Sequence, residues 1–552
     1  MTERFPMPVT PSPARSPQLH RSDNMFDEHS LDRRALLRAL GAVGLTVGLG
    51  GSTAFLAACK AGGGELPSAD DAVPSADSAT RTLRQSVAAD LPSYDPYAIG
   101  ADSYPLIRNM YEALVEYDHD GKPLLRLAES YDIAPDQTSV SVKIRSGVTF
   151  HNGRPLTAHE VVANYQLVAD PKLGGLLTQI AGDVAHLEAT DDRTVKFTFK
   201  GPRASQLITD VMNAVPIAWP SNSANIANTG IGTGPFKQGD RVPGQSWSLT
   251  RNDQYWGKKA DLAGLNFQVI TDPSVGVTAL QSNQLDVVGS APFSTIPQLK
   301  ASFRRVDNPI TAGTVVFYLN AAKAPLDNED VRQAFRYAID RATIVRNALF
   351  GEAKEKVLFW PPTSPAYDPE LEKSEGFNLE RARSKFASAG VTSLPDPILV
   401  PSSLPELQAA AEIVQASLAG IGIKVGVRSV GIPEYLQELT GGTSGIYILT
   451  IGNENKYPTL LTKTTFFSTA DNVLFPGGKT PEYYTSAVDA ATNAVSLDQQ
   501  KAAFKNLNQA LLRLSSTISV SSHPPLMYYA NNVHKVDVNI DAEPYYGEAF
   551  FS

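Results

Sequence analysis

One uncharged segment near the amino end constrains the fold of this chain more than any other feature. Residues 39–58 carry no charged side chain, and they lie between the pair Arg33-Arg34 and Cys59. An arginine pair, an apolar run and an exit through small residues are typical of a secretory signal, which does not join the folded protein. The twin arginine favours the Tat route of export.

The alternative interpretation of this segment is a transmembrane helix, because about 20 residues at 1.5 Å each are long enough to cross a bilayer. The run contains five glycines, however, and it ends with two alanines before a cysteine. This ending resembles a bacterial lipid-attachment motif, in which the cysteine is acylated and becomes the first mature residue. We therefore predict a Tat-like lipoprotein signal peptide over residues 1–58 and lipid attachment at Cys59.

Length and composition limit what the rest of the chain can be. About 490 residues follow Cys59, which is too many for one hydrophobic core and predicts two or three lobes. The net charge of −9 argues against a nucleic-acid partner, because a phosphate binder needs a basic patch. Cys59 is the only cysteine, so disulfides within the chain and cysteine-based zinc sites are excluded.

A linker and several local elements can be predicted directly. Residues 59–79 are rich in Gly, Ser, Pro, Ala and Asp, which predicts a flexible linker. Alternating apolar residues predict a strand over 80–88, and apolar residues at helical spacing predict a helix over 103–114. Thr157 and Glu160 have the spacing of a capping box and predict the start of another helix.

The glycine-rich segment 230–236 is predicted to form a tight turn into a strand. It looks like a nucleotide-binding loop, but such a loop needs free backbone N–H groups at a helix start. Pro235 removes one of these groups at the critical position. No Lys-Ser or Lys-Thr pair follows.

No catalytic or metal-binding motif is found. The chain has no His-Glu-x-x-His sequence and no Gly-x-Ser-x-Gly sequence that would indicate a hydrolase. His151 and His159 lie across a predicted turn, so turn or surface roles are favoured over a shared metal. We therefore predict a protein that is not an enzyme and needs no cofactor or metal.

Several short motifs follow one another along the chain. They are residues 111–114 (YEAL), 127–130 (LAES), 150–162 (FHNGRPLTAHEVV), 232–236 (GTGPF), 251–256 (RNDQYW), 279–288 (ALQSNQLDVV), 319–326 (LNAAKAPL) and 331–341 (VRQAFRYAIDR). Taken together, these motifs resemble those of the family 5 extracellular solute-binding proteins, the oligopeptide, dipeptide and nickel receptors of ABC importers. The likeness covers nearly the whole chain after Cys59.

The resemblance implies an α/β fold of the type II periplasmic-binding-protein class, with two lobes, a hinge and an extra subdomain. Lobe I would be discontinuous. The expected boundaries are residues 80–98, 187–313 and 500–552 for lobe I, 99–186 for the extra subdomain II, and 314–499 for lobe III.

The resemblance also suggests a ligand site. In the peptide receptors of this family the corresponding segment resembles W-x-x-D-Y-x-D-P, and its first aspartate pairs with the α-ammonium of the peptide. Aligned on Pro458, Glu454 takes the position of that aspartate; the alternative is a solvated loop glutamate. The neighbouring candidates are Asn453, Asn455 and Tyr457.

Three aromatic residues are further candidates for ligand contact. Phe317 and Tyr318 lie in the strand that enters lobe III, and Tyr94 follows the first strand of lobe I. For each of them, a place in the core or at the hinge is the alternative.

These observations predict an extracytoplasmic substrate-binding lipoprotein of an ABC importer. It would be a monomer, anchored by lipid to the outer face of the cytoplasmic membrane, and would deliver a peptide or peptide-like solute to a permease with ATPase subunits. An envelope adaptor or regulator on the same fold is the alternative, since a fold does not determine a function.

Overall fold

A computed structural model describes residues 72–97, 105–118, 121–170, 178, 181–306, 313–452, 458–464, 466–469, 472–476, 479–524, 526–539 and 543–552. Within these residues the strands are β1 Thr82–Val87, β2 Val115–Tyr117, β3 Pro123–Leu125, β4 Ala128–Ile133, β5 Ser139–Ile144, β6 Val184–Asp191, β7 Thr194–Phe199, β8 Phe236–Val242, β9 Ser246–Arg251, β10 Gly264–Val269, β11 Val287–Val288, β12 Arg304–Arg305, β13 Gly313–Leu319, β14 Ile398–Pro401, β15 Val427–Val430, β16 Ile446–Gly452, β17 Thr517–Ser522, β18 Tyr528–Tyr529, β19 Val533–His534, β20 Asp537–Val538, β21 Pro544–Tyr545 and β22 Phe550–Phe551.

Within the described residues, helices alternate with strands mainly in the second half of the chain. They are α1 Ala158–Val168, α2 Ala204–Ala214, α3 Pro273–Gln281, α4 Ile296–Leu299, α5 Glu329–Tyr337, α6 Arg341–Thr343, α7 Pro369–Ser374, α8 Leu379–Ser388, α9 Pro405–Gly420, α10 Ile432–Gly441, α11 Pro458–Leu461, α12 Glu482–Asn493 and α13 Leu497–Leu514.

Lobe I is built on a sheet of order β12-β18-β11-β1-β10-β9-β8. The predicted first strand is its centre, since β1 pairs in parallel with both β10 and β11. Its strands come from distant parts of the chain, and β18 near the carboxyl end pairs with β11 and β12.

Subdomain II is built on an antiparallel sheet of order β4-β5-β7-β6. The alternation of apolar and polar residues places every second side chain of β5 and β7 in the core, where α1 and α2 cover the sheet. Because β6 pairs with β7 along its length, the boundary predicted between 186 and 187 falls inside β6. The sheet extends to residue 199, because β6 and β7 form a hairpin and β7 pairs with β5; the pairing of β7 with β5, about 50 residues earlier, leaves no local signal in the sequence.

Lobe III is built on a sheet of order β15-β14-β16-β13-β17. β13 lies between β16 and β17, and all seven of its residues are buried. Because α13 packs against β17 and α5 of this lobe, the boundary predicted between 499 and 500 falls inside α13. The lobe therefore continues to Ser522, the last residue of β17.

The chain passes twice between lobe I and lobe III. It leaves the first sheet after Arg305 and enters the second at Gly313, and it returns between Ser522 and Tyr528. One apolar cluster continues across these crossings and includes Leu280 and Val288 of lobe I with Val315 and Phe317 of lobe III. Two short crossings beside a shared core are the architecture of a hinge.

Candidate ligand-binding cleft

The carboxyl ends of four strands meet at one edge of the lobe III sheet. β14 runs parallel to β15 and β16, while β16 and β17 are both antiparallel to β13 and therefore parallel to each other. Ligands of open α/β sheets bind beyond the carboxyl ends of such strands. β16, the strand that precedes the predicted ligand segment 453–457 in the sequence, ends at this edge.

Several polar groups lie at this edge and were not predicted as site residues. His523 directly follows β17, and its Nε2 is 3.5 Å from Oε1 of Glu406 at the start of α9. The His523 ring also packs edge-on against Phe293 of lobe I, with 5.3 Å between ring centroids. Thr450 of β16 has a buried hydroxyl without a partner among the described residues. The sequence signal that could have identified them is the place of His523 directly after a strand and of Thr450 near the end of a strand.

The four polar residues predicted to surround the ligand lie outside the described residues. They are Asn453, Glu454, Asn455 and Tyr457. Cys59 also lies outside the described residues. Their roles in ligand binding and lipid attachment stay predictions.

The three aromatic candidates are core residues in this structure. Phe317 packs edge-on against Phe335 at 5.3 Å, and Tyr318 stacks on Phe466 at 4.2 Å on the opposite face of β13. Both side chains are fully buried, and Tyr94 is 3% exposed in the core of lobe I. This matches the alternative stated for each of them, and their contact with a ligand stays a prediction.

Residues from three of the sequence motifs, 111–114, 232–236 and 251–256, meet at the junction between lobe I and subdomain II. Glu112 is 1% exposed, and its carboxylate accepts three hydrogen bonds from side chains far away in sequence. The donors are the Thr233 hydroxyl at 2.9 Å, the Tyr255 hydroxyl at 2.7 Å and the Trp256 indole at 2.9 Å. Burial raises the pKa of Glu112 to about 7. We call this group the Glu112 junction.

The glycine-rich segment supplies a backbone contact at the Glu112 junction. A Cβ atom added to Gly232 would lie 2.0 Å from the carbonyl oxygen of Met110, so only glycine fits. The ring of His151 binds the same segment, because Nδ1 accepts from the N–H of Gly232 at 3.2 Å and Nε2 lies 3.0 Å from the Gly234 carbonyl oxygen. Burial lowers the pKa of His151 to about 4. As predicted, the segment leads directly into a strand, β8, and not into the helix that a phosphate loop requires.

The helix predicted over 103–114 is wrong for its described part, residues 105–114. Arg108 adopts a φ of +68°, which is left-handed and cannot continue a helix. Its guanidinium is buried and binds Glu116 at 3.1 Å and Asp537 at 3.0 Å. Of the apolar residues that indicated a helix, Ile107, Met110 and Tyr111 pack in the core of lobe I, and Leu114 packs in the core of subdomain II.

Among the described residues, no group of three or more His, Cys, Asp or Glu side chains is arranged to hold a metal ion. No helix in the described part of the chain combines the length and apolar character that a membrane span requires.

The chain belongs to the bacterial extracellular solute-binding proteins of family 5, whose "Middle" region profile matches residues 122–472. This confirms the resemblance inferred from the motifs. Because the family consists of solute-binding proteins, the prediction that the chain is not an enzyme is also confirmed.

Curated relatives match this chain over part of their length. The nickel-binding periplasmic protein of Escherichia coli (strain K12) is 27% identical over 302 residues, which are 51% of this chain and 56% of that protein. The oligopeptide-binding protein OppA of Bacillus subtilis (strain 168) is 26% identical over 320 residues, which are 52% of this chain and 58% of that protein. The matched region thus spans less than two thirds of either relative.

Solved structures show that the fold extends further than these sequence matches. NikA from Brucella suis in complex with Fe(III)-EDTA superposes with a TM-score of 0.74 at 21% identity, covering 85% of this chain and all of that one. DppA from Helicobacter pylori in complex with the peptide STSA superposes with a TM-score of 0.70 at 20% identity, covering 85% and 98%. The predicted type II periplasmic-binding-protein fold is confirmed.

Proposed function

We propose that this protein is the substrate-binding component of an ABC importer and captures a peptide or peptide-like solute between lobe I and lobe III. The observation that carries the proposal is family membership over residues 122–472, a span that includes the segment leading from β16. The two chain crossings beside a shared apolar core support closure of the lobes by hinge motion. A permease and its ATPase subunits are the partners that this function requires.

Glu454 is the proposed partner of an ammonium group on the solute. A carboxylate binds an ammonium through a charge-assisted hydrogen bond, which strengthens as the cleft closes and water leaves. The relatives named above include a nickel-binding protein and an oligopeptide-binding protein. A peptide carries the free α-ammonium group that Glu454 would bind, and this favours the peptide-like solute.

Native mass spectrometry of the protein purified from its own host tests the proposed function, because a closed cleft carries its solute through purification. We expect a bound species with a free amine, and deletion of the gene should abolish its uptake. Calorimetry with that solute should then show that Glu454→Gln weakens binding by about 1.5–3 kcal/mol. Glu370→Gln, on the exposed surface of α7, is the matched control.

Two results would contradict these proposals. Unchanged affinity in Glu454→Gln would remove Glu454 from the site and leave the binding function standing. A protein that carries no solute, in a strain whose uptake is unaffected by the deletion, would favour the envelope adaptor.

We also propose that a lipid on Cys59 holds the protein at the outer face of the cytoplasmic membrane. Two or three acyl chains on one cysteine are sufficient for stable anchoring. Cys59→Ser should move the protein from the membrane fraction to the soluble fraction; continued membrane association would show that the anchor is elsewhere. Normal export in a Tat-deficient strain would exclude the Tat route.

A further inference from the structure

A group of three charged side chains joins lobe III to subdomain II, two parts of the molecule that no chain crossing connects. Lys463, in the turn after α11, donates from Nζ to Oδ2 of Asp183, which immediately precedes β6. Arg203, just before α2, donates from Nη2 to Oδ1 of the same carboxylate at 3.1 Å. The two cations thus share one carboxylate across the space between the lobes. We call this group the Asp183 cluster.

The Asp183 cluster is largely removed from water. The exposed fractions of the Asp183, Arg203 and Lys463 side chains are 9%, 13% and 22%. Burial lowers the pKa of Lys463 to about 8, because the ammonium loses contact with water. The buried Nε of Arg203 has no hydrogen-bond partner among the described residues. A charged pair with this little exposure is coupled more strongly than a pair on the open surface.

A second ionic contact between lobes, also among the described residues, differs in its position. Glu352 of lobe III accepts from Lys300 and Arg305 of lobe I, and Arg305 is the last residue of β12 before the first crossing. A contact beside the crossing moves little when the lobes rotate. Asp183 belongs to subdomain II, which is continuous with lobe I, so rotation of lobe III carries Lys463 away from it.

The position of Lys463 connects the cluster to the proposed ligand site. It lies on the same short stretch of chain that follows β16, and only α11 separates it from residues 453–457. Lys463 therefore holds the part of the chain just after the proposed ligand segment against subdomain II.

We propose that Asp183 is a positioning residue that holds lobe III closed on subdomain II, and that it sets how fast a solute leaves the cleft. The part of this inference that concerns solute release rests on the proposed function. The closure itself does not, because the cluster forms between residues of the protein alone.

The closure is tested without any ligand, by electron-paramagnetic distance measurements between two spin labels. The labels are introduced as Ala185→Cys in β6 and Lys479→Cys in lobe III, both at exposed positions, in the full chain carrying Cys59→Ser so that no other cysteine reacts. Unmodified Asp183 should give a short-distance population. Asp183→Asn should shift the ratio of open to closed protein about tenfold toward the open state, the factor expected for a loss of about 1.4 kcal/mol.

Lys463→Met removes the same contact from the lobe III side and should give the same shift toward the open state. This variant also tests the proposal if Asp183→Asn does not fold. The double variant should open no further than either single variant, because both remove one interaction. Asp132→Asn, on the exposed side of β4, is the matched control and should leave the distances unchanged.

Identical distance distributions in the parent protein, Asp183→Asn and Lys463→Met would overturn the proposal, as would a ligand-free protein without a short-distance population. Where a bound solute is found, its dissociation should accelerate about tenfold in both variants, and an unchanged rate would overturn the link to release. A shift in distances in a protein that binds no solute would refute the proposed function and leave the closure contact standing.

Discussion

Subdomain II contacts the rest of the molecule in two very different ways. At the Glu112 junction with lobe I, one buried carboxylate accepts from three neutral side-chain donors, and glycine backbone lies directly against the backbone of residues 109–110. At the Asp183 cluster with lobe III, the contact consists of three charged side chains that keep between 9% and 22% of their surface in water.

The difference has an energetic consequence. Separating the Glu112 junction would strand a carboxylate and backbone groups in a packed interior, where each unsatisfied group costs about 1–3 kcal/mol. Separating the Asp183 cluster returns full hydration to all three charges, and this hydration offsets much of the attraction that is lost. The first contact is therefore permanent, and the second can break and reform as the lobes move.

The largest expected effect comes from Gly232→Ala at the Glu112 junction. Its Cβ would lie 2.0 Å from the Met110 carbonyl oxygen, so the two backbones must separate. We expect the free energy of unfolding, measured by urea denaturation, to fall by about 3 kcal/mol or more, at or beyond the upper end for overpacking of a core.

Gly376→Ala is the control for this substitution, because no atom lies within 4 Å of the position its Cβ would take. It should change stability by less than about 0.5 kcal/mol. Equally small losses in the free energy of unfolding for Gly232→Ala and Gly376→Ala would mean that the two backbones at the Glu112 junction can separate at little cost. The contrast with the Asp183 cluster would then disappear.

The second prediction concerns the pH dependence of stability at the Glu112 junction. The folded-state pKa of Glu112, about 7, lies above the usual value of 4.5, so the native state keeps a proton that the unfolded state has lost. Stability should therefore fall as the pH rises from 4.5 to 7, by up to about 3 kcal/mol at 1.36 kcal/mol per pKa unit.

His151 acts in the opposite sense, so Glu112 must be isolated by difference. The pKa of His151 is lowered to about 4, which makes stability rise with pH between about 4 and 6.5. Urea denaturation from pH 5 to pH 8 should show Glu112→Gln gaining stability relative to the parent as the pH rises, whereas Glu370→Gln should follow the parent. A constant difference between Glu112→Gln and the parent would assign the pH response to another group.

Individual strands and helix starts were largely predictable from the sequence, whereas contacts between residues far apart in the sequence were not. Period-two strands such as β5 and the capping box at Thr157 follow from neighbouring residues, and both are present. The donors to Glu112 lie 121, 143 and 144 residues away, and nothing near Glu112 indicates them. For the same reason, apolar spacing over 105–114 indicated a helix where the chain forms turns around Arg108.

The candidate site, too, could be predicted from the sequence only in part. Alternating helices and strands indicate where the carboxyl edge of a sheet will lie, and β16, the strand before residues 453–457, does end at that edge. The proximity of His523 to Glu406 depends on β17 joining the sheet next to β13. These two residues are 117 positions apart in the sequence, and no local pattern indicates that they lie close together.

The smallest effect is expected from a substitution inside subdomain II that lies outside both the Glu112 junction and the Asp183 cluster. The Thr157 hydroxyl accepts from the N–H of His159 at 3.3 Å, and the N–H of Thr157 donates to Oε2 of Glu160 at 2.9 Å, which completes the predicted capping box of α1. Thr157→Ala should lower the free energy of unfolding by about 1 kcal/mol, while Thr157→Ser should retain most of it. The change with pH and the spin-label distances should match those of the parent. If Thr157→Ala alters either one, the stability of subdomain II itself controls both contacts, and the separation of a permanent from a breakable contact does not hold.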